Sequence, residues 1–185
     1  MKKKAEPWYL HAGLWVVIII LTVVLVQVAI LEPTEITRQE NYFKSESRLR
    51  MTNLKQAEIL YENQYGKYSD NLDTLIHFIK NDTTVHALIV GVDTLTKKST
   101  NPFVDLTNGV FSAESLYSSP RSGNFFKVQV DTLLEVDTVI NRRGKIVKID
   151  STTTIGTRYI IESPDSKDKI GDIYSDALKN TSSWE

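Results

Sequence analysis

The chain has 185 residues, with 22 basic and 23 acidic side chains, a formal net charge of −1 and no cysteine. That length supports one globular domain with a core of its own and little more. The balanced charge, with no basic stripe interleaved with aromatics, argues against nucleic acid as a partner. The absent cysteine removes disulfides, thiolate metal sites, thiol nucleophiles and lipobox attachment together.

Lys2, Lys3 and Lys4 precede an uncharged run of twenty residues from Ala12 to Leu31, interrupted only by Thr22 and Gln27 among its apolar side chains. At 1.5 Å per helical residue the run spans about 30 Å, the hydrocarbon thickness of a bilayer. The lysines predict a cytoplasmic N-terminus over 1–11, with Glu32 and Glu35 leading the rest outward, and Trp8, Tyr9 and Trp15 suit the inner interface. A cleaved signal has a shorter apolar core and a small-residue exit; the exit here, Gln27-Val28-Ala29, has Gln at a small-residue position. The run is therefore expected to stay as a single transmembrane helix over 12–31. Gln27 is a candidate for hydrogen bonding across a helix pair, a gain of about 0.6 kcal/mol.

Pro33 fits the first turn of a new helix or a kink in a continuing one, and Thr37-Arg38-Gln39-Glu40 has the form of a capping box. From Tyr42 to Tyr65 the residues Phe43, Met51, Leu54, Tyr61 and Tyr65 follow one helical face, with Ala57 filling the row. Arg48, Lys55, Glu58 and Glu62 occupy the opposite face, and Gly66 supplies a left-handed stop. A stem over 32–68 follows. From Thr37 to Tyr65 it is about 45 Å long and outreaches a small sheet. Its distal part is expected to pack on the domain, and Phe43 and Met51, with Gln27 in the membrane, are the candidate interaction positions.

A second helix is predicted from Asn71 to Lys80, where Leu72, Leu75, Ile76 and Ile79 form a stripe that Ser69 or Asp70 can cap. The period then changes to alternation. Val85–Val92 reads as a strand rich in branched residues, and Phe126, Val128 and Val130 alternate with Lys127, Gln129 and Asp131 in another. Val136–Ile140 and Ile146–Ile149 flank a hairpin turn at Asn141–Gly144, and Arg158–Glu162 closes the set. The densest cationic spot, Arg142-Arg143-Gly144-Lys145, belongs to that turn. The expected class is α+β, with one exported domain over 69–185 that includes the distal stem.

An apolar helix running through a proline region into a stem and then an antiparallel sheet resembles type IV pilins and type II secretion pseudopilins. The strongest local likeness is Leu54 to Tyr68, ending in Tyr65-Gly66-Lys67-Tyr68, followed by Leu72 and Leu75; Asn101-Pro102-Phe103 is similar to the family's Asp-Pro-Trp loop. The resemblance implies a pilin-like fold of four or five strands in the periplasm, anchored in a bacterial inner membrane. It departs from the family after Gly13: Leu14 follows where an aromatic residue is usual, and the fifth position is Val17 where the family has a glutamate. The usual filament-packing charge pair is therefore missing. The layout is most similar to pilin-like single-pass envelope proteins of Gram-negative bacteria.

Chemistry is sparse. His11, His77 and His86 are scattered without a ligand pair, and no nucleophile elbow or phosphate loop occurs. Asp165, Asp168 and Asp172 crowd a late loop and are weak calcium candidates, offset by Lys167 and Lys169. Four Asp-Thr-aliphatic triplets make Thr74, Thr94, Thr132 and Thr138 candidates for envelope O-glycosylation, although Asp-Thr pairs also stabilise turns and helix starts locally. The expectation is a non-enzymatic protein without a cofactor, touching membrane lipid and other envelope proteins or itself. The alternative is a ligand-sensing or carbohydrate-binding domain using Phe111, Tyr117, Phe125 and Tyr159.

Overall fold

The computed structural model describes residues 8–141 and 143–185, and side chains at all of these except 30, 133–137, 140, 147 and 150–152. The flank Lys2–Lys4 and Arg142 of the hairpin turn lie outside the described residues. By internal contacts the chain forms two units, Met1–Lys44 and Ser45–Glu185.

In the first unit, helix α1 (Trp8–Val26) buries no residue. It belongs to a 58-residue helical run, Trp8–Tyr65, long and apolar enough to cross a membrane. The Thr22 hydroxyl donates to the Ile18 carbonyl at 2.8 Å, so this polar group is satisfied within its own helix. A wide π-turn, Gln27–Leu31, follows, with the Glu32 amide donating to the Gln27 carbonyl. It falls just before Pro33, whose ring lacks an amide hydrogen and crowds the turn behind it. Helix α2 (Glu32–Tyr65) then runs on without a break. Of the two readings of Pro33, the continuing helix holds: there is no restart at Thr37, whose hydroxyl donates back to the Pro33 carbonyl at 2.8 Å as an interior helical threonine. Phe43 is half-buried and meets Tyr42 edge-on at 5.6 Å.

In the second unit the distal part of α2 carries Met51, Leu54 and Ala57 into the core with no exposure. Gly66, at φ +71°, ends the helix as expected, its amide donating to the Glu62 carbonyl at 2.7 Å. Helix α3 (Leu72–Asn81) is capped by Asn71, whose side chain accepts from the amides of Asp73 and Thr74, rather than by Ser69 or Asp70. Its stripe of Leu75, Ile76, Phe78 and Ile79 is buried.

The predicted strand Val85–Val92 is instead helix α4 (Thr83–Val90). Asp82 caps it by accepting from the amides of Thr84 and Val85, and only Val85 of the branched run enters the core. With one buried contact there is no alternating face for a sheet to cover, and the cap decides the outcome over β-propensity.

Among the described residues the sheet has three antiparallel strands, not four or five, in the order β1 (Lys127–Ile140), β2 (Ile146–Glu162), β3 (Lys169–Gly171). The separately predicted segments fuse into the two long strands of one hairpin. Its turn is held by the Asn141 side chain, which accepts from the amides of Arg143 and Lys145 at 2.9 and 3.0 Å, and by Gly144 at φ +75°. The short strand β3 was not anticipated. The C-terminal segment lies along it, with the Gly171 amide donating to Thr181 and the Ser183 amide to Lys169.

A register shift between Val130 and Thr132 divides the hairpin. On one side Phe126, Tyr159 and Ile161 are core; on the other Val139, Ile146, Ile149 and Ile155 are half or more exposed. Asp131, expected to face outward, is buried at the shift. Its carboxylate accepts from the amides of Thr157 (2.8 Å) and Arg158 (2.7 Å) and from the Arg158 guanidinium (3.2 Å), taking over the interrupted ladder. Burial acts to raise the Asp131 pKa, and the bonds from Thr157 and Arg158 outweigh it and hold the group below the usual carboxylate range. Gly156 sits opposite at φ +79°, where a Cβ would come within 2.8 Å of the Tyr68 carbonyl. That closeness lets the Tyr68 amide donate to the Gly156 carbonyl at 2.8 Å.

The polar face of α2 is not solvated as its sequence implied. Asn53 pairs with both backbone groups of Val104 at 2.8 Å. Glu46 accepts from the Arg50 guanidinium and from the amide and hydroxyl of Thr107. Arg50 also donates to the Ser118 carbonyl at 2.7 Å. Glu58, expected to be exposed, has no exposure at all. Val104, Thr107 and Ser118 of the segment between α4 and β1 thus pair backbone groups with the side chains of Asn53, Glu46 and Arg50 on the helix.

Candidate functional site

Two clefts of the second unit share Tyr117 and Asp73 in their lining. One, about 440 Å³, is lined by Asp73, Thr74, Ile76, His77, Lys80 and Tyr117. The other, about 310 Å³, has Asp70, Asp73 and Leu72 on the α3 side, and Tyr117, Phe125 and Lys127 on the sheet side. The Asp73 carboxylate beside Tyr117 raises the tyrosine pKa.

Local backbone chemistry sets these positions. Residues Ala113–Leu116 form a 3₁₀ turn, and an isolated bridge pairs Ser118 with Phe125. Between them the Ser119 amide donates to the Asn124 carbonyl at 2.8 Å and the Gly123 amide to the Ser119 carbonyl at 3.0 Å. Asp165 accepts from the Ser119 hydroxyl and the Ser122 amide. This tight loop brings the rings of Tyr117 and Phe125 to 6.1 Å with a 55° tilt, and leaves Phe125 70% exposed.

Of the four aromatics predicted to share a concave site, only these two do. Phe111 stacks on Phe103 at 4.5 Å and 11°. Tyr159 is fully buried, donates to Asn180 at 2.9 Å and lies 4.6 Å from the Tyr68 ring. Its phenol is pushed far up by burial. Both are committed to the core and its edge. Asp70, Asp73 and Lys127 were missed because they come from segments distant in sequence.

The calcium candidates are separated by their partners. Asp165 is engaged with Ser119 and Ser122. Asp168 takes a bidentate contact from Arg48 at 2.9 and 3.1 Å, and that guanidinium also lies 5.0 Å from the Trp184 ring centre. Asp172 accepts from the amides of Tyr174 and Ser175. Among the described residues no group of three or more His, Asp or Glu side chains is placed to hold a metal ion. His77 and His86 are exposed; His86 Nε2 lies 2.7 Å from the Lys80 carbonyl and closes the corner between α3 and α4.

Met51 is core, with no surface to offer a partner. Gln27 opens the π-turn and is exposed, as are Thr74, Thr94, Thr132 and Thr138. Asp93 accepts from the Leu95 amide and the Thr96 hydroxyl, and Asp131 carries the strand shift, so two of the four triplets have a local structural use.

Comparison with family models, curated proteins and solved structures gives no match to the chain. The fold itself defines the class: a membrane-anchored protein with one long apolar helix, followed by shorter helices and a small antiparallel sheet of α+β type.

Proposed function

We propose that the protein is a non-enzymatic, single-pass component of a bacterial envelope, with its N-terminus in the cytoplasm and its pilin-like domain in the periplasm, serving an assembly or secretion machine as a structural or docking element. The observation that carries this reading is the unbroken helical run Trp8–Tyr65, apolar at one end and core-forming at Met51, Leu54 and Ala57. Such a run carries an apolar anchor segment and a core-forming segment in one stretch of chain, which suits a membrane-anchored structural or docking protein. The order of helix, helix and antiparallel sheet supports the pilin-like branch of the reading, and Val17 in place of the family's glutamate favours a static anchor over a filament subunit.

In-cell photo-crosslinking from position 43 tests it. Reproducible adducts with other envelope proteins, or with a second copy of the chain, are expected; a chain that yields none fails the reading. A carbohydrate-binding role is the second reading, favoured by the paired rings of Tyr117 and Phe125. A thermal shift with N-acetylglucosamine in the absence of crosslinked partners would support it.

A further inference from the structure

We infer that the Tyr117–Phe125 cleft is a docking pocket for an arginine or lysine side chain carried on an extended segment of a protein partner. The inference rests on the docking reading above and specifies where and by what chemistry docking occurs.

Three observations converge on a cation. Phe125 offers a ring that is 70% exposed, set 6.1 Å from the Tyr117 ring; an exposed aromatic face attracts a cation through its quadrupole. Asp70 and Asp73 line the same cleft as the two rings. The one cation lining the cleft, Lys127, has its ammonium 3.4 Å from Glu162 on the neighbouring strand, so it is directed across the sheet. Carboxylates beside exposed rings complement a guanidinium, which can pair in the plane and stack on the face.

The sheet supplies the reason for an extended segment. Lys127 and Val128 begin β1 and line the cleft, and β1 is an outer strand, paired only with β2 among the described residues. Just before β1 the Phe126 amide already donates to the Tyr117 carbonyl at 3.1 Å, so a peptide passing the cleft can extend along the outer side of β1 from Lys127 onward while one side chain enters the pocket. That is the usual division of labour in strand addition: main chain for affinity, pocket for specificity.

The test uses the full chain in detergent micelles, with carbon-13-labelled phenylalanine rings observed by NMR during titration with acetyl-Thr-Val-Arg-Val-Thr-amide. Saturable shifts at Phe125 are expected, with the glutamine analogue of the peptide at least tenfold weaker. Asp73→Asn and Phe125→Ala should each weaken the arginine peptide at least fivefold while the melting temperature holds. Equal binding of the arginine and glutamine peptides would overturn the inference, as would an Asp73→Asn protein of unchanged affinity. A response to N-acetylglucosamine with none to the arginine peptide would also overturn it and assign the cleft to sugars. Crosslinks from position 43 that persist while the peptide is silent would discard the cleft and leave the docking reading intact. Peptide binding without any crosslinked partner would support the cleft and count against that wider reading.

Discussion

Glu58 of α2 accepts a hydrogen bond from the Ser69 amide at 3.0 Å while its other carboxylate oxygen is buried with no partner. The acid therefore ties the end of the stem to the loop that opens α3, at a point where an ionised group has lost water on every side. Burial, with a smaller contribution from Asp70, moves its pKa from 4.5 up to about 8, against the lowering effect of the Ser69 bond.

The sign of the resulting pH dependence follows. The folded chain keeps the Glu58 proton between about pH 4.5 and 8 while the unfolded chain releases it, so this group's contribution falls as pH rises through that window and levels off above it. Glu58→Gln, which keeps the amide acceptor without the charge, should become progressively more stable than the parent from pH 5 to pH 8, by a few kcal/mol at the upper end. Urea unfolding across that range is the measurement. Parallel curves for the two proteins would show that Glu58 is ionised in the fold.

Asp131 pulls the other way. Its pKa is held down in the fold, so its contribution is present above the ordinary aspartate range and is lost as pH falls through the folded value. Asp131→Ala leaves the amides of Thr157 and Arg158 and the Arg158 guanidinium without their acceptor, and should cost about 2–4 kcal/mol at neutral pH. Gly156→Ala, forced to φ +79° against the Tyr68 carbonyl, should cost about 1–3 kcal/mol. Thermal unfolding compares them, and losses under about 0.5 kcal/mol would show that the strand shift bears no load.

Leu54 and Phe43 lie eleven residues apart on the same helix and should respond differently. Leu54 is fully buried, so Leu54→Asp forces a carboxylate into the core and should cost several kcal/mol. Phe43, half-buried in the other unit, should tolerate aspartate within about 1 kcal/mol while losing partner or self-association. Equal losses of melting temperature would make Phe43 ordinary core.

Calcium should not stabilise the domain. Asp165, Asp168 and Asp172 are each engaged by different groups, so millimolar calcium is expected to leave the melting temperature unchanged. Arg48→Ala should lower it by releasing Asp168 and uncovering Trp184. A calcium-induced rise of several degrees in the parent protein would reverse the assignment of that loop.

The stem, its glycine stop, the second helix and the hairpin turn were legible because each rests on local rules: a 3.6-residue apolar period, a left-handed glycine, a turn that opens on Asn141 and closes on Gly144. Helix α4 was misread on its branched residues, yet Asp82 followed by Thr83 and Thr84 is a capping signal that was available. The buried acids could not be read in the same way. Glu58 and Asp131 sit at positions whose period places them outward, and only the tertiary fold brings the amides of Ser69, Thr157 and Arg158 that donate to them. The cleft has the same origin. The local Ser118–Phe125 bridge brings Tyr117 and Phe125 together, but Asp70 and Asp73 arrive through the packing of α3, which no spacing within the 113–126 segment records.

N-terminal sequencing of the protein from carbonate-washed membranes tests whether a retained membrane helix carries the domain. The account predicts a membrane-bound chain that begins before Ala12 and keeps the whole apolar run. A mature chain beginning at Leu14 would show prepilin-type processing, and a soluble chain beginning at Ile30 would show a cleaved signal; either would contradict it.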